Sequence, residues 1–349
     1  MKQGKDAIAA IDIGSDTIHL LVGEPSSGPE GRVRAVEQRG ELIELGRRVA
    51  RKGRIGAAAS RAVEALLVDY VQLARTRTER VVVGATEALR RASDGTALVE
   101  RLEARIGAPV RVLSGAREAQ LGFAGVAHRL QDSGLQLVID SGGASTELTL
   151  SDGRSRGASA SLPVGAALLA ARLLGDPPEA LSWALGGALV GGTLANAPVA
   201  APTRAVATGG SAHNLAGLER TKGRQGPQVL ALTDLRRMAD ELLSQPSAKL
   251  AKRSGEDPRR VAILAPGLLI LASVLDHYGL ELVTVVPEGL REGMILAAAA
   301  LGDEWWQDGA EIPTGGANAD ASPSPAAPEA AVPKQSLAGS NPASRSMSS

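Results

Sequence analysis

A chain of 349 residues has room for two domains with separate cores, and 44% apolar with 22% charged residues is ordinary for a globular protein. The absence of cysteine excludes disulfides, thiolate metal sites and a cysteine nucleophile. The 38 basic and 38 acidic residues balance, which argues against a dedicated nucleic-acid binder, so a polyanion must be drawn in by a local patch.

The first residues, Met1 to Asp6, lack the charged and apolar regions of a signal peptide. The apolar runs at 164–174 and 261–275 are interrupted before reaching the roughly 20 residues a bilayer requires. The expectation is a cytoplasmic chain with no membrane association. Strands are expected at 7–13, 17–23 and 32–38, followed by a helix at 57–77 with Ala62, Leu66, Val71 and Leu73 on its core face. A buried strand at 80–85 leads into a short helix from Thr86, then a helix at 95–106, a strand at 110–113 and a helix at 116–130. The second half begins with a hairpin at 135–150, a strand near 155–161 and a helix at 164–174. A strand at 203–207 then runs through Thr208-Gly209-Gly210-Ser211 into a helix from Ala212. After a polar stretch at 219–228, Thr233 or Asp234 is expected to cap a helix. A single apolar helix at 258–277, a strand at 282–286 and a helix at 289–301 complete the pattern. Beyond Asp303, Pro, Ala, Ser, Gly and Asn dominate, the composition of a disordered tail. Strands alternating with helices predict an α/β protein: one domain at 1–130, a second at 131–302 and the tail at 303–349.

One pattern occurs twice. An apolar strand ends in Asp, turns through Gly and small hydroxyl residues, and starts a second strand, at Ile8–Leu20 around Asp12 and at Leu137–Leu150 around Asp140. The carboxylate can hold a metal or a water, and the turn N–H groups can receive phosphate oxygens. The repeat implies a duplicated fold closing on a phosphate from both sides. Capping of its own turn is the alternative for each Asp. Glu147 follows the second turn and could share a divalent cation with Asp140, or face outward on an alternating strand. Glu118 stands in a helix first turn, favoured there by the dipole or employed as a general base. Arg90, late in a short helix, is either a phosphate clamp or a solvated residue. The four histidines lack metal-ligand spacing, and no P-loop motif is present.

These residues fall into blocks that resemble the exopolyphosphatase / guanosine pentaphosphate phosphatase family of the actin–sugar kinase–Hsp70 superfamily. The blocks are the first Asp-x-Gly-Ser hairpin; Ala85-Thr86-x-Ala88-Leu89-Arg90; Ser114-Gly115-x-x-Glu118-Ala119-x-Leu121; Asp140-x-Gly142-Gly143-x-Ser145-Thr146-Glu147-Leu148; Ser161-Leu162-Pro163-x-Gly165; and Gly209-Gly210-Ser211. Two more follow, at Arg259–Gly267 and Glu288–Gly293, so the resemblance covers about residues 7–301. It implies two ribonuclease-H-like domains flanking a cleft, and Mg²⁺-dependent removal of a terminal phosphate from polyphosphate or guanosine pentaphosphate. In that reading Glu118 activates water, with Arg90 and Asp140 as further catalytic residues. Asp12, Asp140 and Glu147 engage the metal. Gly14, Ser15, Thr86, Gly142, Gly143, Ser145, Gly209, Gly210 and Ser211 bind phosphate. The family also implies a homodimer. The chain is like the short members, which points to short polyphosphate chains.

Four positions depart from the family pattern. Asp16 stands where Asn is usual, adding negative charge beside a phosphate loop. Arg117 replaces an acidic neighbour of Glu118 and could compensate with a cation. Ser141 and Ala144 replace an aliphatic residue and a glycine, the latter critical if a positive φ is needed. A non-catalytic polyphosphate or alarmone sensor is therefore the alternative to an enzyme. A sugar or acid kinase of the same superfamily is disfavoured by the block around Glu118.

Overall fold

The computed structural model describes residues 6–26, 32–131, 134–173, 175–218, 228–255 and 257–313. Residues 1–317 form one compact unit that holds two β-sheets.

The first half contributes β1 (Ile8–Ile13), β2 (Thr17–Pro25), β3 (Val33–Leu42), β4 (Val81–Ala85) and β5 (Val110–Val112). Its helices are α1 (Leu45–Lys52), α2 (Ala57–Arg75), α3 (Glu87–Arg91), α4 (Gly95–Ile106) and α5 (Gly115–Val126). The strands lie in the order β3-β2-β1-β4-β5. Strand β2 runs antiparallel to its neighbours β1 and β3, and β4 and β5 run parallel to β1.

The second half contributes β6 (Gln136–Ser141), β7 (Thr146–Ser151), β8 (Arg156–Leu162), α6 (Ala166–Ala170), α7 (Ala180–Leu194), β9 (Arg204–Thr208) and α8 (Gly209–Leu218). These are followed by β10 (Gln228–Ala231), α9 (Leu232–Ser244), α10 (Ser247–Ser254), α11 (Pro258–Val261), α12 (Leu264–Tyr278), β11 (Leu282–Val285) and α13 (Leu290–Leu301). Taken from its β8 edge, this sheet reads β8-β7-β6-β9-β11, with β10 added antiparallel at the far edge. Order and direction reproduce the first sheet strand for strand. The protein is thus an α/β fold of two ribonuclease-H-like halves, as the repeated hairpins imply.

Strand β1 is apolar on both faces because both are covered. Ala9, Ile11 and Ile13 enter the core beneath α2 and α4, whereas Ile8 and Ala10 enter a second core with α5 and α13. That second core ties the halves together, since α13 comes from the C-terminal half. The α5–α13 crossing is built on glycine. A Cβ at Gly293 would lie 1.8 Å from the Leu121 carbonyl oxygen, and one at Gly125 would lie 2.0 Å from that of Gly289.

The structure corrects several expectations. Helix α2 buries Ala59, Val63, Leu67, Tyr70, Val71 and Ala74, so the core face is rotated away from Ala62. Elements α1, α7, α10 and β10 occupy stretches the sequence pattern leaves unassigned. Only Ala166–Ala170 of the 164–174 run is assigned to a helix. The 258–277 helix breaks into α11 and α12. Pro266 supplies no N–H and therefore sits in the first turn of α12, where none is needed. Helix α9 begins directly at the end of β10 with Ala231 as N-cap, not Thr233 or Asp234. Helix α8 starts at Gly209 itself. The C-terminal boundary also moves, because Trp305 and Ile312 pack into the core shared by α5 and α13. Residues 303–313 therefore belong to the fold, and the rest of the expected tail lies outside the described residues, as does most of the polar stretch at 219–228. Among the described residues one helical stretch, Pro258–Tyr278, is long and apolar enough to cross a membrane, and most of it is buried in the core of the C-terminal half.

Candidate active site

The two hairpin turns have the same internal geometry. The Gly14 N–H donates to the Thr17 carbonyl at 3.1 Å, and the Gly142 N–H donates to the Ser145 carbonyl at 3.1 Å. These two N–H groups therefore close their own turns rather than waiting for a ligand. Beyond them Ser15, Asp16, Gly143 and Ala144 line a cavity of about 570 Å³ between the sheets. Glycine is required here by crowding, not by φ. A Cβ at Gly143 would meet Asp16 Oδ2 at 2.5 Å, and one at Gly165 would meet the Ala144 nitrogen at 2.4 Å. Ala144 itself has no positive φ, since Glu44 is the non-glycine residue with that feature among the described residues. The third junction differs. Gly209 has φ +87° and its Cβ position lies 2.5 Å from Asp140 Oδ1. Only glycine lets α8 begin beside that carboxylate.

Sheet register brings the acids together. Asp140 pairs with Glu147 across β6–β7 and with Thr208 across β6–β9, while Asp12, one residue before the end of β1, lies opposite Gly84. Glu118 reaches the same cavity from the first turn of α5, which Ser114 caps by accepting the Arg117 N–H at 3.0 Å. Thus Asp12, Asp140, Glu147 and Glu118 all line the cavity, together with Gly14, Ser15, Thr86, Gly142, Gly143, Ser145, Gly209, Gly210 and Ser211. Arg90 does not. Its guanidinium donates to Glu118 at 2.7 Å and also engages Glu87 and the Leu113 carbonyl. It therefore holds the glutamate from behind.

Electrostatics follow from burial. Desolvation pushes the Glu118 carboxyl well above the usual carboxylate range, Glu147 pushes it further, and Arg90 opposes both. Burial raises Asp12 to about 7 and Asp140 to about 6, with Arg291 countering each. Glu147 rises to about 8 through burial and Asp140, although the Ser161 hydroxyl donates to it at 2.7 Å. Asp16 also rises to about 7, by burial and then by Glu44, against Arg47. His19, buried and facing Arg291 and Arg260, falls to about 3 and so stays neutral.

The Oδ1 atom of Asp12 is buried without a hydrogen-bond partner, a vacancy in its bonding that a cation would fill. Among the described residues no three Asp, Glu or His side chains converge tightly enough to enclose a metal alone. One or two carboxylates beside an open cavity suit Mg²⁺, which keeps waters and takes substrate phosphates as its remaining ligands. Arg39, Arg260 and Arg291 also line the cavity, although the sequence reading gave them no role. Spacing alone could not bring β3, α11 and α13 to one cleft. Arg117 does the opposite of what its position implies: it is fully buried and bonded to the C-terminal segment, supplying no cation to the cavity.

The model of the Ppx/GppA phosphatase family matches residues 27–300. Among curated proteins, an uncharacterized Streptomyces coelicolor protein is 29% identical over 317 residues, covering 86% of this chain and 92% of its own. The Vibrio cholerae guanosine-5'-triphosphate,3'-diphosphate pyrophosphatase is 25% identical over 302 residues, covering 82% of this chain. The chain spans only 58% of that relative's length. Among solved structures, an Aquifex aeolicus Ppx/GppA family member is 26% identical with a TM-score of 0.71, over 85% of this chain and 98% of its own. An exopolyphosphatase from Cytophaga hutchinsonii, 22% identical with a TM-score of 0.74, shares the fold over 84% of this chain and 98% of its own.

Proposed function

Because the chain belongs to the Ppx/GppA phosphatase family, we propose that it is an exopolyphosphatase that hydrolyses the terminal phosphoanhydride of short inorganic polyphosphate in the cytoplasm. The observation that carries this reading is Glu118: a buried carboxylate, oriented by Arg90, lining one cavity with Asp12, Asp140 and the glycine turns. Glu118 takes a proton from water as the water oxygen bonds to the terminal phosphorus. The phosphorus–bridging-oxygen bond breaks, and its electron pair leaves on the shortened chain. The raised pKa makes the Glu118 carboxylate a stronger proton acceptor than an ordinary glutamate. One or two of the carboxylates Asp12, Asp140 and Glu147 would hold Mg²⁺, which when bound supplies charge neutralisation at the phosphoryl oxygens. Arg39, Arg260 and Arg291 are the side chains that draw the rest of a polyanion into a chain of zero net charge.

Guanosine pentaphosphate is the second substrate reading, since the Vibrio cholerae relative is named for it. Phosphate release measured in parallel from short polyphosphate, long polyphosphate, guanosine pentaphosphate and ATP tests the proposal. Fastest release from short polyphosphate supports it; preferential release from the nucleotide replaces it with the second reading. Binding without release from any of them favours a sensor.

A further inference from the structure

We propose that residues 302–313 are a strap that sets the first turn of α5, and that Arg117 is the positioning residue through which it acts on Glu118; this rests on the role of Glu118 proposed above.

The fold does not need a charge where Arg117 sits. Its side chain is fully excluded from solvent beside an apolar core of Leu113, Leu121, Met294 and Trp305. Burying a guanidinium is costly unless its donors are satisfied. Here the strap provides most of the acceptors. Nε donates to the Trp305 carbonyl at 3.0 Å, Nη2 donates to the same oxygen, and Nη1 donates to the Ala310 carbonyl at 2.7 Å. Gln120, one helical turn on, accepts from Nη1 at 2.5 Å and donates to the same Ala310 oxygen at 2.8 Å. The helix N-cap joins in, as the Ser114 hydroxyl reaches Asp308 at 2.6 Å. Two tryptophans anchor the strap, Trp305 in the core and Trp306 under the Arg111 guanidinium at 4.8 Å.

Glu118 is the next residue after Arg117, and its N–H donates to the Ser114 carbonyl at 2.9 Å. The first turn of α5 is therefore gripped on two sides. Arg90 holds Leu113 and Glu118, and the strap holds Ser114, Arg117 and Gln120. Among the described residues, the strap's hydrogen bonds go to Ser114, Arg117 and Gln120 and not to the two hairpin turns or the α8 start that line the cavity. Loosening the strap thus displaces the base without touching the phosphate loops. A sub-ångström to ångström shift at a reacting group can cost on the order of a hundredfold in rate.

The test compares full-length Arg117→Met, Arg117→Lys and Asp308→Ala, with Glu118→Gln as reference, on short polyphosphate with Mg²⁺. Expected are a fall in kcat of about tenfold or more for Arg117→Met with KM within about threefold of the parent, partial rescue in Arg117→Lys, and a smaller kcat loss in Asp308→Ala. Amide exchange across 115–121 is expected to quicken in the same order. Unchanged kcat and unchanged exchange in the folded variants, with Glu118→Gln inactive, overturn the strap and leave the catalytic reading standing. An active Glu118→Gln overturns the catalytic reading instead. Should Arg117→Met fail to fold, Asp308→Ala, altered at an exposed residue, decides between the same outcomes.

Discussion

Asp16 places a charge beside the two glycine turns whose state changes near neutrality. Its carboxyl is raised to about 7, chiefly by burial and by Glu44, with Arg47 pulling the other way. Below that pH the group is neutral and can donate a hydrogen bond, as an amide would; above it, a carboxylate faces a polyanion. KM for polyphosphate is therefore expected to rise between pH 6.5 and 8.5, by about tenfold if one repulsive contact of 1.4 kcal/mol is gained. Asp16→Asn should remove most of that rise; a variant with the parent's pH profile would contradict the assignment. Gly209 makes a second residue-scale prediction. Its φ of +87° and the nearness of Asp140 mean that Gly209→Ala should destabilise by about 1 kcal/mol or more. It should also lose most activity by displacing Asp140. Denaturant titration and phosphate release check the two parts separately.

The β6–β7 hairpin and its twin β1–β2 concentrate carboxylates that the fold desolvates. Asp12, Asp140 and Glu147 rise to about 7, 6 and 8 from ordinary values of 3.8, 3.8 and 4.5. Between roughly pH 4 and 8 the folded chain thus holds protons that the unfolded chain has released, so stability falls as pH rises through that window. In metal-free buffer Tm should be higher at pH 5.5 than at pH 8, and Mg²⁺ should flatten the slope. A Tm that climbs with pH, or one indifferent to Mg²⁺, contradicts this account of the acid cluster. The same hairpins were the most legible part of the sequence. Apolar strands ending in Asp and a glycine turn leave few alternatives, and their register brings Asp140 opposite Glu147 directly. Less legible were elements whose pattern is weak. Helix α7 carries no charged residue and so has no polar face to give it a period, and α1 is too short and basic to announce an apolar stripe. The strap reads as low complexity because two tryptophans and Ile312 carry its packing. Arg117 was misread for a related reason: adjacency to Glu118 in sequence places their side chains on different faces of α5.

The two halves are joined where α5 and α13 cross, backbone against backbone. Gly293→Ala would put a methyl 1.8 Å from the Leu121 carbonyl, so the helices must part. A loss of about 1–3 kcal/mol or more is expected, accompanied by lower kcat because α5 carries Glu118. A stable, fully active Gly293→Ala would show that the crossing does not fix the cleft. At this scale the duplicated sheets bring an acid-bearing hairpin from each half to one cavity, and α5 adds Glu118, the proposed base. The most direct test of that arrangement is phosphate release from short polyphosphate with Mg²⁺ by the parent chain and by Glu118→Gln, with polyphosphate binding measured in both. The account predicts that Glu118→Gln binds polyphosphate as the parent does but loses release by about 10² or more. Release that survives the substitution would contradict it.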